Sequence, residues 1–189
     1  MYDHPGVADA LDRLDGWGVA FVDPVIAEGK AKMASDEAIA AGVARATGDA
    51  ALAGQRVVVT GGGTVEAVDP VRVLTNRASG RTGRAVARAC RVRGADVTLV
   101  HAGAGDPPAT PGVETVAVES TADLLDATLA ACADADALVA AAAVGDFSVR
   151  TRDDKIPSGE PVTLDLQPTP KVVDEVRAAH PDLPVVGFK

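Results

Sequence analysis

The stretch RVVVTGGGT, residues 56–64, decides the fold. Three valines in succession, with no polar alternation, fit a strand covered on both faces. The glycines that follow let the backbone turn sharply where the strand ends. ALVAAAAV, residues 137–144, repeats the pattern. Between these runs the spacing predicts a helix over 80–92, strands over 96–100 and 114–118, and a helix over 121–132. The first strand is expected over 56–60 and the later one over 137–142, followed by strand 162–166, helix 170–179 and strand 184–188. Strands alternating with helices imply right-handed crossovers. The expected fold class is α/β: a three-layer, Rossmann-like, mostly parallel sheet with helices on both faces.

Residues 1–50 read differently: a helix over 7–14, a strand over 19–22 and a helix over 36–46, with Ser35 as N-cap and acidic residues in the first turn. That is too little chain to close a sheet, so it reads as the end of another domain. Residues 51–55, in the small-residue segment TGDAALAGQ, read as a linker, and 56–189 as the α/β domain.

Composition bounds the function classes. The 189 residues are 47% hydrophobic but only 3% aromatic, so the core must be built from Ala, Val and Leu. A net charge of −9 argues against nucleic acid as a partner, because neutralising phosphates needs a basic face. An acidic surface with few lysines suits a salt-rich cytoplasm. No apolar run is long enough to cross a bilayer and no signal peptide precedes the first helix, so no membrane partner and a cytoplasmic location are expected. Cys90 and Cys132 read as buried small hydrophobes of a reducing compartment, and no Cys/His spacing suggests a metal.

In sheets of this kind ligands sit outside the carboxyl ends of the strands. Two loops there are longer than topology demands, GGGTVEAVDPVRVLTNRASG and VGDFSVRTRDDKIPSGEP. Gly61, Gly62, Gly63 and Thr64 could turn backbone N–H groups and a hydroxyl toward an anion, or form only a tight turn. The pattern is neither GxGxxG opening a helix nor GxxxxGK[ST]. Ser79 suits an N-cap, whereas the Asn76 amide, just ahead of it, could both donate to and accept from an acyl group. Gly80 and Gly83 permit close approach to the helix start. Arg72 and Arg77 read equally as phosphate ligands or solvated surface. Asp146 could bind a ribose hydroxyl or make a turn. Lys155, one of five lysines, reads as surface or as a mobile cation closing over a phosphoryl transition state.

Taken in order, VVVTGGGTVEAVDPVRVLTNRASGRTG, AAAVGDF, DDKI and VVGFK resemble the landmarks of phosphopantothenoylcysteine synthetase (phosphopantothenate–cysteine ligase), from about Gln55 to Lys189. In many microbes that domain follows a flavin-dependent decarboxylase, and residues 1–50, opening on MYDHP, resemble its tail. The resemblance implies coenzyme A biosynthesis. The carboxylate of 4′-phosphopantothenate attacks the α-phosphate of a nucleoside triphosphate, usually CTP in microbes, releasing pyrophosphate. The amine of cysteine then displaces the nucleotide from the acyl-nucleotide.

By position, Gly62, Gly63, Thr64, Ser79, Gly80, Ala142, Asp146 and Phe188 would line the nucleotide site. Asn76 would hold the acyl intermediate, Lys155 would be the mobile cation, and Arg72 would meet the phosphopantothenate phosphate. Mg²⁺ would accompany the triphosphate with few or no protein ligands, and FMN would belong only to the decarboxylase portion, which is absent. A homodimer is implied, and a larger homo-oligomer when the decarboxylase is fused.

Two departures stand against the pattern. The sequence stops at Gly187-Phe188-Lys189, where the family continues, so an incomplete site is expected; and IAEGKAKMA, residues 26–34, lacks the decarboxylase cysteine. The alternatives are a catalytically incomplete nucleotide-binding or assembly fragment and an NAD(P)-dependent Rossmann-type reductase. Against the reductase, the sole tyrosine is Tyr2, so no Tyr-xxx-Lys pair exists.

Overall fold

The structure is a computed structural model describing residues 4–188; Met1, Tyr2 and Asp3 of MYDHP, and Lys189 of VVGFK, lie outside the described residues. In chain order it comprises helix α1 (Pro5–Asp15), strands β1 (Val25–Ala27) and β2 (Lys30–Lys32), and helix α2 (Asp36–Thr47). Strands β3 (Arg56–Gly62), β4 (Val65–Ala67) and β5 (Val73–Thr75) lead to helix α3 (Arg81–Val92). Strands β6 (Asp96–Ala102) and β7 (Glu114–Val118) precede helix α4 (Thr121–Cys132). Strands β8 (Ala137–Ala140), β9 (Phe147–Val149) and β10 (Leu166–Pro168), helix α5 (Val172–Ala179) and strand β11 (Val185–Gly187) complete it.

The central sheet has the order β11-β8-β3-β6-β7, and every pairing in it is parallel. The three valines of β3 explain its central place. Val57 and Val59 pack with Leu99, Ala87 and Ala95 on the α3 side. Val58 faces the other way, with Val100, Leu138, Leu124 and Val176 on the side of α4 and α5. Helices therefore cover both faces, as the uninterrupted apolar strands require. Cys90 and Cys132 join opposite layers and stay free. Burial pushes the Cys132 thiol up to about 11. Among the described residues no helix is long and apolar enough to cross a membrane.

Several expected elements move. Residues 19–22 form no strand, because no neighbouring strand offers them a ladder; Phe21 and Val22 instead line an apolar hollow against α2. The pairing lies next door: β1 and β2 form a hairpin turned by Glu28 and Gly29, at φ 54° and 69°. Two positive φ values in a two-residue turn suit the strand twist, but Glu-Gly is not the usual residue pair for it. Likewise, 162–166 does not form the expected strand; only Leu166–Pro168 pairs, antiparallel to β9 and outside the main sheet. Helix α2 starts as expected, with Ser35 Oγ accepting the Ala38 amide at 3.2 Å. It then braces the far end of α3, where Arg45 Nη1 donates to the Arg91 carbonyl at 2.7 Å.

Candidate functional site

At the carboxyl end of the sheet, β3 and the chain after it are stitched to the loop after β8. Gly63 makes an isolated parallel bridge with Ala143, and its N–H donates to the Ala102 carbonyl at 3.1 Å. The Thr60 hydroxyl accepts the amides of Ala141 and Ala142 at 3.2 and 3.3 Å. The Thr64 side chain is sealed from solvent, and its Oγ1 accepts the Gly145 amide at 2.8 Å and the Thr121 hydroxyl at 3.1 Å. That hydroxyl holds the two loops together instead of facing a ligand.

The length of the first loop has a local cause. Its middle is the antiparallel hairpin β4–β5, with Val65 opposite Thr75 and Ala67 opposite Val73. Asp69 ties off the tip: its carboxylate accepts the amides of Val71 and Arg72 at 2.8 Å each and that of Ile156 at 3.0 Å. The Arg72 guanidinium donates to the same carboxylate and to the Ile156 carbonyl at 3.0 Å. Burial alone would raise the Asp69 carboxyl; the three amides and Arg72 outweigh it and hold the pKa at about 2. The expected phosphate ligand Arg72 is thus already engaged with a carboxylate and with Ile156, the sequence neighbour of Lys155. Glu66, on the same hairpin, accepts the Thr121 amide at 2.8 Å and helps cap α4.

Asn76 reaches across the mouth of the site. Its Nδ2 donates to the carbonyls of Val144 at 3.0 Å and Ala143 at 3.3 Å, while Oδ1 accepts nothing among the described residues. Ser79 is not the N-cap expected from sequence. Gly80 holds that position in the left-handed region, at φ 67°, with no side-chain cap. A cap needs extended backbone and a hydroxyl aimed at the second or third helical amide, and the left-handed turn at Gly80 removes both. A Cβ at Gly80 would lie 2.4 Å from His101 Nε2 and 3.1 Å from the Gly62 nitrogen, so only glycine fits. The first amides of α3 are left without a side-chain partner, a setting that favours anions. His101 lies 3.3 Å from Arg84 Nη1, which also donates to the Ser79 carbonyl at 3.0 Å. Burial first and the Arg84 charge second push the His101 pKa below its usual value, favouring the neutral ring.

In the second loop, Asp146 is exposed and its Oδ1 takes the Lys171 ammonium at 2.6 Å. Phe188 is exposed beside β8, its amide donating to the Ala140 carbonyl at 3.0 Å, and Ala142 is half-buried after the same strand. Lys155 is exposed, makes no ion pair among the described residues, and lines a cavity of about 630 Å³ with Arg150, Arg152 and Thr163. The geometry therefore joins Gly62, Gly63, Thr64, Asn76, Gly80 and the 142–146 segment into one connected network. Lys155 and Phe188 border it through Ile156 and β8 without a direct bond to Asn76.

A family model for the DNA/pantothenate metabolism flavoprotein C-terminal domain matches residues 52–189. The chain belongs to this family. It is 42% identical over 191 residues to the coenzyme A biosynthesis bifunctional protein CoaBC of Thermococcus kodakarensis, covering 100% of this chain and 47% of that protein. The crystal structure of the C-terminal domain of a coenzyme A biosynthesis bifunctional protein CoaBC superimposes with a TM-score of 0.63 at 32% identity, covering 74% of this chain and 66% of that one. The DNA/pantothenate metabolism flavoprotein of Streptococcus pneumoniae gives 0.62 at 27% identity, covering 71% and 69%. The chain spans about half the length of the curated relatives it matches.

Within this flavoprotein C-terminal domain, sequence reasoning passed over Asp69, His101 and Lys171. Asp69 stands in a turn sequence, DPVR, where a carboxylate reads as ordinary turn chemistry. His101 carried a usable signal: it ends an apolar strand just before Gly103, where a sheet of this kind places its ligands. Lys171 precedes a helix and pairs only through tertiary structure.

Proposed function

We propose that the chain carries the amide-forming half of coenzyme A biosynthesis, the CTP-dependent joining of 4′-phosphopantothenate to L-cysteine. Its setting is cytoplasmic and its assembly a homodimer. The observation that carries this reading is Asn76: its Nδ2 donates to both the Ala143 and Val144 carbonyls, leaving Oδ1 as an oriented acceptor beside the uncapped start of α3.

In the first step a carboxylate oxygen of phosphopantothenate attacks the α-phosphorus of CTP, the α–β P–O bond breaks, and pyrophosphate leaves. In the second, the cysteine nitrogen attacks the acyl carbon, CMP leaves, and the amine loses a proton. The acyl phosphate is already a good leaving group, so the protein contributes orientation and neutralisation of charge. Asn76 holds the acyl group. The backbone of Gly62, Gly63 and Gly80, with Ser79 and the Thr64-fixed turn, bounds the phosphates. Ala142, Asp146 and Phe188 surround the ribose and base. Lys155 closes over the transferring phosphoryl group, and Arg72, oriented by Asp69, faces the substrate phosphate. Mg²⁺ accompanies the triphosphate, with few or no ligands from the protein. FMN belongs to the decarboxylase portion of the relatives.

The test supplies phosphopantothenate, cysteine and either CTP or ATP, and follows pyrophosphate and nucleoside monophosphate. Pyrophosphate that appears only with phosphopantothenate, and monophosphate that follows only with cysteine, support the reading. Asn76→Asp and Lys155→Gln should each lower product formation about 100-fold or more, the scale of one lost transition-state contact. Wild-type rates in both variants would overturn it.

A further inference from the structure

Helix α3 buries Gly83 and Ala87 against the sheet, and along its flank stand Arg81, Arg84 and Arg88. At spacings of three and four residues these side chains share one side of the helix. Together with Thr110 and Pro108 from the β6–β7 connection, and Glu37 from α2, they line a cleft of about 290 Å³. That connection joins two parallel strands without a helix, so a loop covers this side of α3. Arg81 and Arg88 form no ion pair among the described residues. Arg84 spends only Nη1, on the Ser79 carbonyl and His101. In a protein of net charge −9, Arg81 and Arg88, standing beside Arg84 and facing a single carboxylate, have no structural account among the described residues.

Thr110 points to a ligand independently. It is 9% exposed, and its hydroxyl has no hydrogen-bond partner among the described residues. No fully buried side-chain polar atom described lacks a partner, so this hydroxyl keeps some exposure, and Thr110 lines the cleft.

We propose that this cleft is a second binding site, for a small anion carrying linked phosphates. Guanidinium forks match phosphate oxygens in pairs, and the three arginines span about 10 Å along the helix, room for more than one phosphate. The cleft lies at the lower end of ligand-pocket volumes, roughly 300 Å³, so it takes the phosphate chain and leaves any larger group outside. Glu37 opposes the arginines and limits affinity. This site is distinct from the Asn76 network and does not depend on the ligase reading.

The probe is inorganic tripolyphosphate, titrated calorimetrically into the full chain, with circular dichroism to verify folding. Arg88→Gln and Thr110→Val should each weaken binding about tenfold, roughly 1.4 kcal/mol. Arg88→Lys should weaken it less, Glu37→Gln should tighten it, and Arg150→Gln and Asn76→Asp should leave it unchanged. Wild-type affinity in both Arg88→Gln and Thr110→Val would overturn the proposal. Equal loss in Arg150→Gln would mark a non-specific charge effect, and loss confined to Asn76→Asp would move the anion to the strand-end site; either result overturns it too.

Discussion

Asn76 Nδ2 and the Val144 carbonyl oxygen lie 3.0 Å apart, joining loops that are 68 residues apart in sequence. The contact fixes which way the amide points. In Asn76→Asp a carboxylate oxygen would face two carbonyls, and the acceptor on the other side would become an anion facing a phosphorylated substrate. Product formation should fall about 100-fold or more with little change in fold, whereas Asn76→Ala should lose the rate while escaping the repulsion. Steady-state rates paired with melting curves separate the two variants. Equal and undiminished rates would remove Asn76 from the reaction.

Thr64 tests the positioning of the same loops. Its buried hydroxyl accepts from Gly145 and Thr121, and Thr64→Val would leave both donors facing a methyl group. A lost partner for a buried polar group costs about 1–3 kcal/mol. Thr64→Ser keeps the hydroxyl and should recover most of that loss. Urea denaturation of the two variants measures the difference, and equal stability would show that the hydroxyl does not carry the stitch.

Asp69 makes the hairpin tip sensitive to acid. Its folded pKa of about 2 lies below the ordinary aspartate value of 3.8, so the folded state binds fewer protons than the unfolded chain in that window. The stability it contributes is complete above pH 3.8 and is lost as pH falls toward 2. Asp69→Asn should lower stability at neutral pH and flatten this acid limb. Denaturation midpoints at pH 7, 4 and 3 give the comparison, and parallel acid limbs in the two proteins would contradict it.

These residues show what the sequence made legible. Val57–Val59 announced a sheet covered on both faces, because burial on both sides leaves no room for polar alternation; the helices and the central-sheet strands followed to within a few residues, whereas 19–22 and 162–166 did not form the expected strands. The long lead-in to α3 was visible as a loop of unusual length, yet its hairpin was not. Val65–Ala67 and Val73–Thr75 are each three residues long, too short for a periodic signal, and they are held by Asp69 and the distant Ile156. The start of α3 was misplaced for a similar reason: Ser79 has the right chemistry for a cap, but the deciding neighbour, His101, arrives from another strand. Asp146 reads from sequence as a ribose ligand or a turn former; its pairing with Lys171, 25 residues on, is visible only in the structure.

The Gly80–His101 contact gives a prediction with two separable parts. An L-residue at φ 67° carries a backbone cost of about 1–2 kcal/mol. An added Cβ would also stand 2.4 Å from His101 Nε2, a clash that must displace the ring or the helix start. Gly80→Ala should therefore cost more than the backbone term alone, and His101→Ala in the same chain should remove the steric part and leave the backbone part. A double-mutant cycle by urea denaturation should show a favourable coupling of the two substitutions; strict additivity would mean that the ring does not set the glycine requirement.

The same histidine supplies a pH readout. Its folded pKa is pushed below the ordinary histidine value of 6.5, so the unfolded chain binds more protons in that range. Its contribution is complete above pH 6.5 and is lost as pH falls toward the folded value. The stability of the native chain should thus decline on acidification through this window, and that decline should be absent in His101→Ala. An unchanged pH dependence in the variant would assign the titration to another group.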